Sequence, residues 1–264
     1  MKAFFFLLIL LSSTVYAQQP ETGFLKRSVT IDSNDYCYQV FVPKAYTPMK
    51  KWPVILFLHG LGEGGADCSV QTEVGIGPAI RRQIGVFPAI VVFPQAPRWS
   101  LWIGALETMA LKALEQTIAE FNTDPTRVYL TGLSLGGYGA WYLAAHHPNK
   151  FAALAPVAGG ILPPQRRRAF PPEIMAIVPK EKPYETIARQ IGKTPVWIFH
   201  GAEDPRVPAS ESRTMHEALK ATGGNVRYTE YPGVAHNSWD KAYAEPGFFE
   251  WLFLQRLHVS ASRK

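Results

Sequence analysis

Residues 132–136 read Gly-Leu-Ser-Leu-Gly, which puts Ser134 two places from a glycine on either side. The β-branched and apolar run at 128–131 suits a buried strand, and the apolar stretch at 138–147 suits a buried helix. A serine on such a strand-to-helix turn sits on strained backbone with its hydroxyl exposed, and the helix behind it presents N–H groups and the positive end of its dipole. The flanking glycines let the turn close tightly. The chemistry open to Ser134 is nucleophilic attack. That requires a base in reach, an acid to orient the base, and preset N–H donors for developing negative charge.

The base must come from seven histidines. His59 and His200 stand at strand ends directly before glycine and read as packed strand-end residues. His146 and His147 end the helix behind Ser134 and face away, where they suit the helix's negative end. His216 and His258 fall in helical stretches. His236 alone lies in a loop directly after a strand and downstream of a strand-end acid, and is assigned as the base. Asp204, in His200-Gly201-Ala202-Glu203-Asp204, is assigned as the acid, with Glu203 and Asp240 as alternatives. The N–H donors are assigned to the backbone of Leu135, the residue after the nucleophile, and of Leu61 in the glycine-rich loop at 59–65. Trp99 and Trp102, after a central strand, are candidates to wall a substrate pocket.

The elements that must position these groups follow from the hydrophobic pattern. Strands are expected at 28–30 and 36–42 (an antiparallel edge pair), 54–58, 89–93, 128–131, 151–157, 195–199 and 226–231. Helices are expected at 77–84, 104–121, 138–147, 184–191, 210–222 and 248–257, with a polar lead-in at 18–27. Strands alternating with helices predict an α/β fold, a mostly parallel central sheet flanked by helices. In such sheets ligands bind at the carboxyl ends of the strands. The loop at 60–65, Ser134, Asp204 and His236 each follow a strand, so the topology itself predicts that they converge.

The chain has 264 residues and 47 % hydrophobic content, enough for one large α/β domain at 18–264. Lys2, the apolar run at 3–11 and the small residues Val15 and Ala17 read as a secretory signal peptide over 1–17. Its apolar run is too short to span a bilayer, so no stable membrane insertion is expected after cleavage. Export permits a disulfide between the two cysteines, Cys37 and Cys68, although spacing alone does not decide between a bridge and two buried thiols. The formal charge of +6 comes from scattered basic pairs and one run, Arg166-Arg167-Arg168. No nucleic-acid module accompanies it, so no nucleic-acid partner is expected. Residues 161–194, with five prolines between Pro163 and Pro179, read as an irregular cap-like insertion.

Together these stretches resemble the α/β-hydrolase superfamily. The likeness is carried by residues 54–65, Gly132 to Gly137, His200 to Asp204 with Val207-Pro208, and Gly233-Val234-Ala235-His236, and covers essentially the whole mature chain. It is greatest toward the small secreted feruloyl and acetylxylan esterases and the phospholipase/carboxylesterase and dienelactone-hydrolase-like proteins. The order Ser134, Asp204, His236 is that of the superfamily. The resemblance implies hydrolysis of small or polysaccharide-linked carboxylic esters by a Ser-His-Asp triad through an acyl-enzyme, without cofactor or metal. Dienelactone hydrolases use cysteine where this chain has Ser134, which argues against their activity. The prolyl-oligopeptidase catalytic domain is also similar, making a peptidase the alternative. A non-catalytic carbohydrate-binding homologue is a third reading, and the intact triad counts against it.

Overall fold

The structure, a computed structural model, describes residues 20–162, 172, 176 and 178–257. The expected signal peptide and the triple arginine lie outside the described residues, as does part of the insertion. Eight strands form one sheet in the order β1-β2-β4-β3-β5-β6-β7-β8. They are β1 (Gly23–Ile31), β2 (Asn34–Val42), β3 (Trp52–Leu58), β4 (Ile90–Pro94), β5 (Thr123–Leu133), β6 (Ala153–Val157), β7 (Val196–Gly201) and β8 (Val226–Tyr231). β1–β2 and β2–β4 are antiparallel, and every other pairing is parallel. This is the mostly parallel α/β sheet that the sequence pattern predicts, in the α/β-hydrolase arrangement that the resemblance implies.

The helices are α1 (Ile76–Arg82), α2 (Ala105–Glu120), α3 (Leu135–His146), α4 (Pro183–Ile191), α5 (Ala209–Ala221), α6 (Trp239–Ala242) and α7 (Phe248–Leu254). β3 is buried along its whole length, and its side chains alternate between two cores. Val54, Leu56 and Leu58 face Met109, Leu114, Trp141 and Leu143 of α2 and α3. Ile55 and Phe57 face Ile80, Phe93, Tyr243 and Phe248 on the α1 and α7 side. Two-sided burial explains the unbroken apolar runs of the central strands.

Among the boundaries that differ from expectation, two have a clear physical reason. The stretch at 18–27 is not simply a polar lead-in, because β1 begins at Gly23 and pairs with β2 from Gly23↔Val42 to Ile31↔Asn34. Phe24 packs on Phe41 at 5.1 Å between ring centroids, a cross-strand contact that one strand's own pattern does not reveal. The helix expected to begin at 138 begins at Leu135, directly behind Ser134. Gly136 and Gly137, poor helix formers, disguise that first turn.

The path of the chain places the site. β4 lies on one side of β3 and β5 on the other, so the loops leaving β3 and β5 diverge to opposite faces. A crevice opens at such a switch point. Leu58 and Gly132 pair in register, so the loop at 59–65 and the Ser134 turn leave the sheet side by side.

Cys37 of β2 and Cys68 of the loop after β3 are paired as a disulfide, with Cα atoms 5.6 Å apart. The Cys68 carbonyl accepts from Gln39 Nε2 at 2.5 Å, and its N–H donates to Gln95 Oε1 at 2.7 Å. The bridge fastens the loop leaving β3 to the antiparallel edge. Closing 31 residues of chain limits the unfolded ensemble by about 3–4 kcal/mol in the chain-entropy account. Cys37→Ala with Cys68→Ala is expected to lower the unfolding free energy by about 3 kcal/mol, read from the urea midpoint at constant m-value.

Candidate active site

Ser134 stands between β5 and α3 with φ 52° and ψ −116°, the single residue separating strand from helix. A non-glycine residue there is strained, and the surroundings enforce it. A Cβ on Gly136 would fall inside the van der Waals shell of the Leu58 carbonyl, and one on Gly132 would meet the Gly136 carbonyl. The Ser134 N–H donates to Val157 O at 2.9 Å, tying the turn to β6. Its hydroxyl makes no helix cap. It faces His236 instead, with Oγ 2.8 Å from Nε2.

His236 follows β8 in a loop stapled to the loop after β7. Ala202 N–H donates to Tyr231 O and Glu203 N–H to Val234 O, both at 3.0 Å. His236 Nδ1 lies 2.7 Å from Asp204 Oδ2. Since a carboxylate only accepts, Nδ1 carries the hydrogen, which leaves the Nε2 lone pair for the Ser134 hydroxyl. Trp239 stands edge-on to the imidazole at 5.4 Å and 89°.

Asp204 is buried, with two further donors on Oδ1: the N–H groups of Arg206 at 2.8 Å and Val207 at 3.0 Å. Its Oδ2 also lies 3.2 Å from His200 Nε2. Burial raises the carboxyl pKa, but the hydrogen bonds from His200, His236, Val207 and Arg206 outweigh it and hold the group well below the usual carboxylate range. The acid is therefore kept ionised by donors rather than by a neighbouring cation. Of the two alternatives, Glu203 is exposed and Asp240 accepts from Asn237 at the surface, 2.9 Å away.

His200 is more than packing. It is fully buried, and its Nε2 faces two acceptors, Asp204 Oδ2 and Val207 O at 2.9 Å, while Nδ1 meets Ser212 Oγ at 2.6 Å. It belongs to the chain Ser212–His200–Asp204–His236–Ser134. Its position before a glycine was visible in the sequence, but its contact with Asp204 four residues on was not.

The loop after β3 is braced from beneath. His59 is 2 % exposed, and Ala96 N–H donates to its Nε2 at 3.0 Å. Its Nδ1 therefore carries the hydrogen that bonds Gly60 O at 2.6 Å. Burial lowers the His59 pKa to about 4, so the ring is neutral at pH 7. Trp102 Nε1 donates to His59 O at 3.0 Å. Residues Leu61–Glu63 then form a single 3-10 turn. Gly60, Leu61, Ser134, Arg206, His236 and Trp239 are among the residues lining a cleft of about 330 Å³.

The expected pocket tryptophans are displaced. Trp102 is 1 % exposed and lies under α3, where a Cβ on Gly139 would strike its ring, so it supports the loop rather than lining a pocket. Trp99 is 76 % exposed and lies outside the lining of the cleft. Their positions follow the loop after β4, whose course depends on tertiary contacts. Trp239, Asn237 and Arg206 line the cleft instead. Glu63 also lines it, with Oε2 buried without a hydrogen-bond partner among the described residues and its pKa raised by burial.

Comparison with known proteins agrees with this architecture. The profile of the prolyl oligopeptidase family matches residues 110–253, more than half of the chain. An uncharacterized secreted protein of Arthroderma benhamiae is 28 % identical over 200 residues, which is 70 % of this chain and 21 % of that protein. The crystal structure of a thermostable esterase aligns with a TM-score of 0.71 and 31 % identity, covering 88 % of this chain and 63 % of the other. The chain thus spans about a fifth of the first of these relatives and just under two thirds of the second. A ferulic acid esterase shares the fold at a TM-score of 0.65 and 17 % identity, over 87 % of this chain and 96 % of its own.

The His59 brace has a pH signature. The unfolded chain takes up its proton near 6.5 and the folded protein near 4, so the contribution is full above about pH 6.5 and is lost as pH falls toward 4. On the order of 3 kcal/mol is at stake. Urea unfolding at pH 7 and pH 4 is expected to show His59→Asn less stable than wild type at pH 7 and losing less of its stability on acidification.

Proposed function

We propose, for a chain that belongs to the prolyl oligopeptidase family, that it is a serine carboxylic ester hydrolase working through Ser134, His236 and Asp204. The observation that carries this reading is the unbroken hydrogen-bonded run from Ser134 Oγ to His236 to the ionised Asp204 at the switch point of the sheet. His236 takes the Ser134 proton as Oγ attacks the ester carbonyl, and returns it to the departing alcohol, leaving an acyl group on Ser134. Water activated by His236 then releases the acid. The N–H groups of Leu135 and Leu61 hold the oxyanion. Leu135 opens α3, where backbone donors have no intrahelical partner, and Leu61 lines the cleft beside Ser134. Asp204 aligns the imidazole and stabilises its charged form.

The chain is read as exported, with residues 1–17 removed and 18–264 forming one domain. The N-terminal pattern, the Cys37–Cys68 pair and the likeness to a secreted protein of Arthroderma benhamiae support this. No helix among the described residues is long and apolar enough to cross a membrane. The substrate reading is a small or polysaccharide-linked ester, feruloyl or acetyl, supported by the resemblance of the motifs and by the fold shared with a ferulic acid esterase. Trp239 is the aromatic wall of the cleft, a surface suited to a flat acyl group or a sugar face. The family match favours peptide hydrolysis as the second reading.

A panel of p-nitrophenyl acetate, methyl ferulate and a chromogenic dipeptide separates the two readings. Ester turnover is expected to exceed peptide turnover, and Ser134→Ala is expected to lower kcat on the best ester by about 10⁴–10⁶-fold without loss of fold. Turnover of the peptide alone would leave the esterase reading without support.

A further inference from the structure

Far from Ser134, three side chains converge that the proposed mechanism does not use. Glu107 lies in the first turn of α2, His146 is the last residue of α3, and His147 caps that helix. Consecutive residues on a helix point about 100° apart and do not share a target. Here they do, because His147 leaves helical geometry at φ −122° and ψ 68°, swinging its ring to within 4.9 Å of the His146 ring. His146 Nδ1 and His147 Nε2 both approach Glu107 Oε1, at 2.6 Å and 2.5 Å. The Glu107 carboxylate is 8 % exposed, while the two imidazoles are 57 % and 31 % exposed, so the cluster is rooted in the protein and open on one side. A depression of about 580 Å³, lined in part by Ile103, Gly104, Ala145 and Pro148, opens onto Glu107 and His146.

We propose that Glu107, His146 and His147 bind one divalent transition-metal ion of the zinc class, clamping α2 to α3. Two imidazole nitrogens and one carboxylate oxygen are the donor set of a three-ligand site whose fourth position is left to water. The donor atoms all lie within 4.8 Å of one another. Metal–ligand distances of about 2.0–2.2 Å place ligand atoms roughly 3.3 Å apart, so the rings need to withdraw from Oε1 by less than about 1 Å. The half-exposed imidazoles supply an entry path, and the depression holds room for a bound water. Soft–borderline nitrogen donors favour Zn²⁺, Co²⁺ or Cu²⁺ over Ca²⁺ and Mg²⁺, which want oxygen cages. The ion serves architecture rather than the acyl transfer. α3 rises about 18 Å from Ser134 to His146, so the site anchors the far end of the helix that carries the nucleophile turn at its near end.

The test uses the mature chain after EDTA treatment and dialysis. Titration calorimetry with Zn²⁺ is expected to show one equivalent bound at micromolar affinity or tighter. Co²⁺ is expected to develop visible d–d absorption with the same stoichiometry. Tm is expected to rise by about 5–10 °C at a hundredfold excess of Zn²⁺ over Kd, with no rise in Ca²⁺ or Mg²⁺. Glu107→Gln should weaken Zn²⁺ binding at least tenfold, and His146→Ala with His147→Ala should abolish it, whereas His236→Ala should leave it intact. Absence of Zn²⁺ and Co²⁺ binding to the wild-type chain overturns the proposal whatever the variants do. So does binding that His236→Ala removes, or binding that survives loss of both His146 and His147; in either case the cluster is only a hydrogen-bonded clamp between two helices.

Discussion

The contact on which the structure turns is between two stretches of backbone. The first turn of α3 lies against the end of β3 so closely that Gly136 has no room for a Cβ beside the Leu58 carbonyl. That approach forces the positive φ at Ser134 and sets the Ser134 turn next to the loop that leaves β3. Nothing softer than backbone against backbone would hold the turn so firmly, since side chains can change rotamer and carbonyls in a buried sheet cannot move. The strain at Ser134 is then a consequence of packing, and its cost of about 1–3 kcal/mol is met by the two buried cores on either side of β3 and β5.

A second constraint is electrostatic and works at a distance from the serine. Asp204 is buried without a cation, and its charge is held by four hydrogen bonds, two from backbone N–H groups and two from imidazoles. Backbone donors do not wander, so the carboxylate is fixed, and through it the ring of His236. His200 and Ser212 extend the same run into the core. His59 does comparable work on the other wall, where a neutral ring locks the Gly60 carbonyl and turns the loop toward the cleft. Two buried histidines thus hold the walls of the cleft that Ser134 and His236 line.

How much of this could be read beforehand depends on the range of the information. The central strands announced themselves, because burial on both faces writes an apolar run into the sequence itself. The positions of Ser134 and Asp204 were legible because each comes after such a strand, and that of His236 because it comes after the edge strand β8, whose carboxyl end lies on the same side of the parallel sheet. What escaped was set by long-range contact. β1 reaches back to Gly23 because β2 is there to pair with it. Trp102 turns inward because His59 offers a carbonyl and Gly139 leaves a hollow. His146 and His147 read as helix-end residues facing away, and they do face away from Ser134; that Glu107 waits across the gap is a fact of α2 packing on α3.

The central claim is that Ser134 carries the acyl group during turnover. Rapid acid quench of the enzyme with a slowly deacylating aryl ester, followed by proteolysis and mass spectrometry, tests it directly. The account predicts one acyl adduct per chain on the peptide containing Ser134, absent when Asp204 or His236 is replaced by alanine. An adduct on another residue, or steady ester turnover by the Ser134→Ala protein at the wild-type rate, would contradict it.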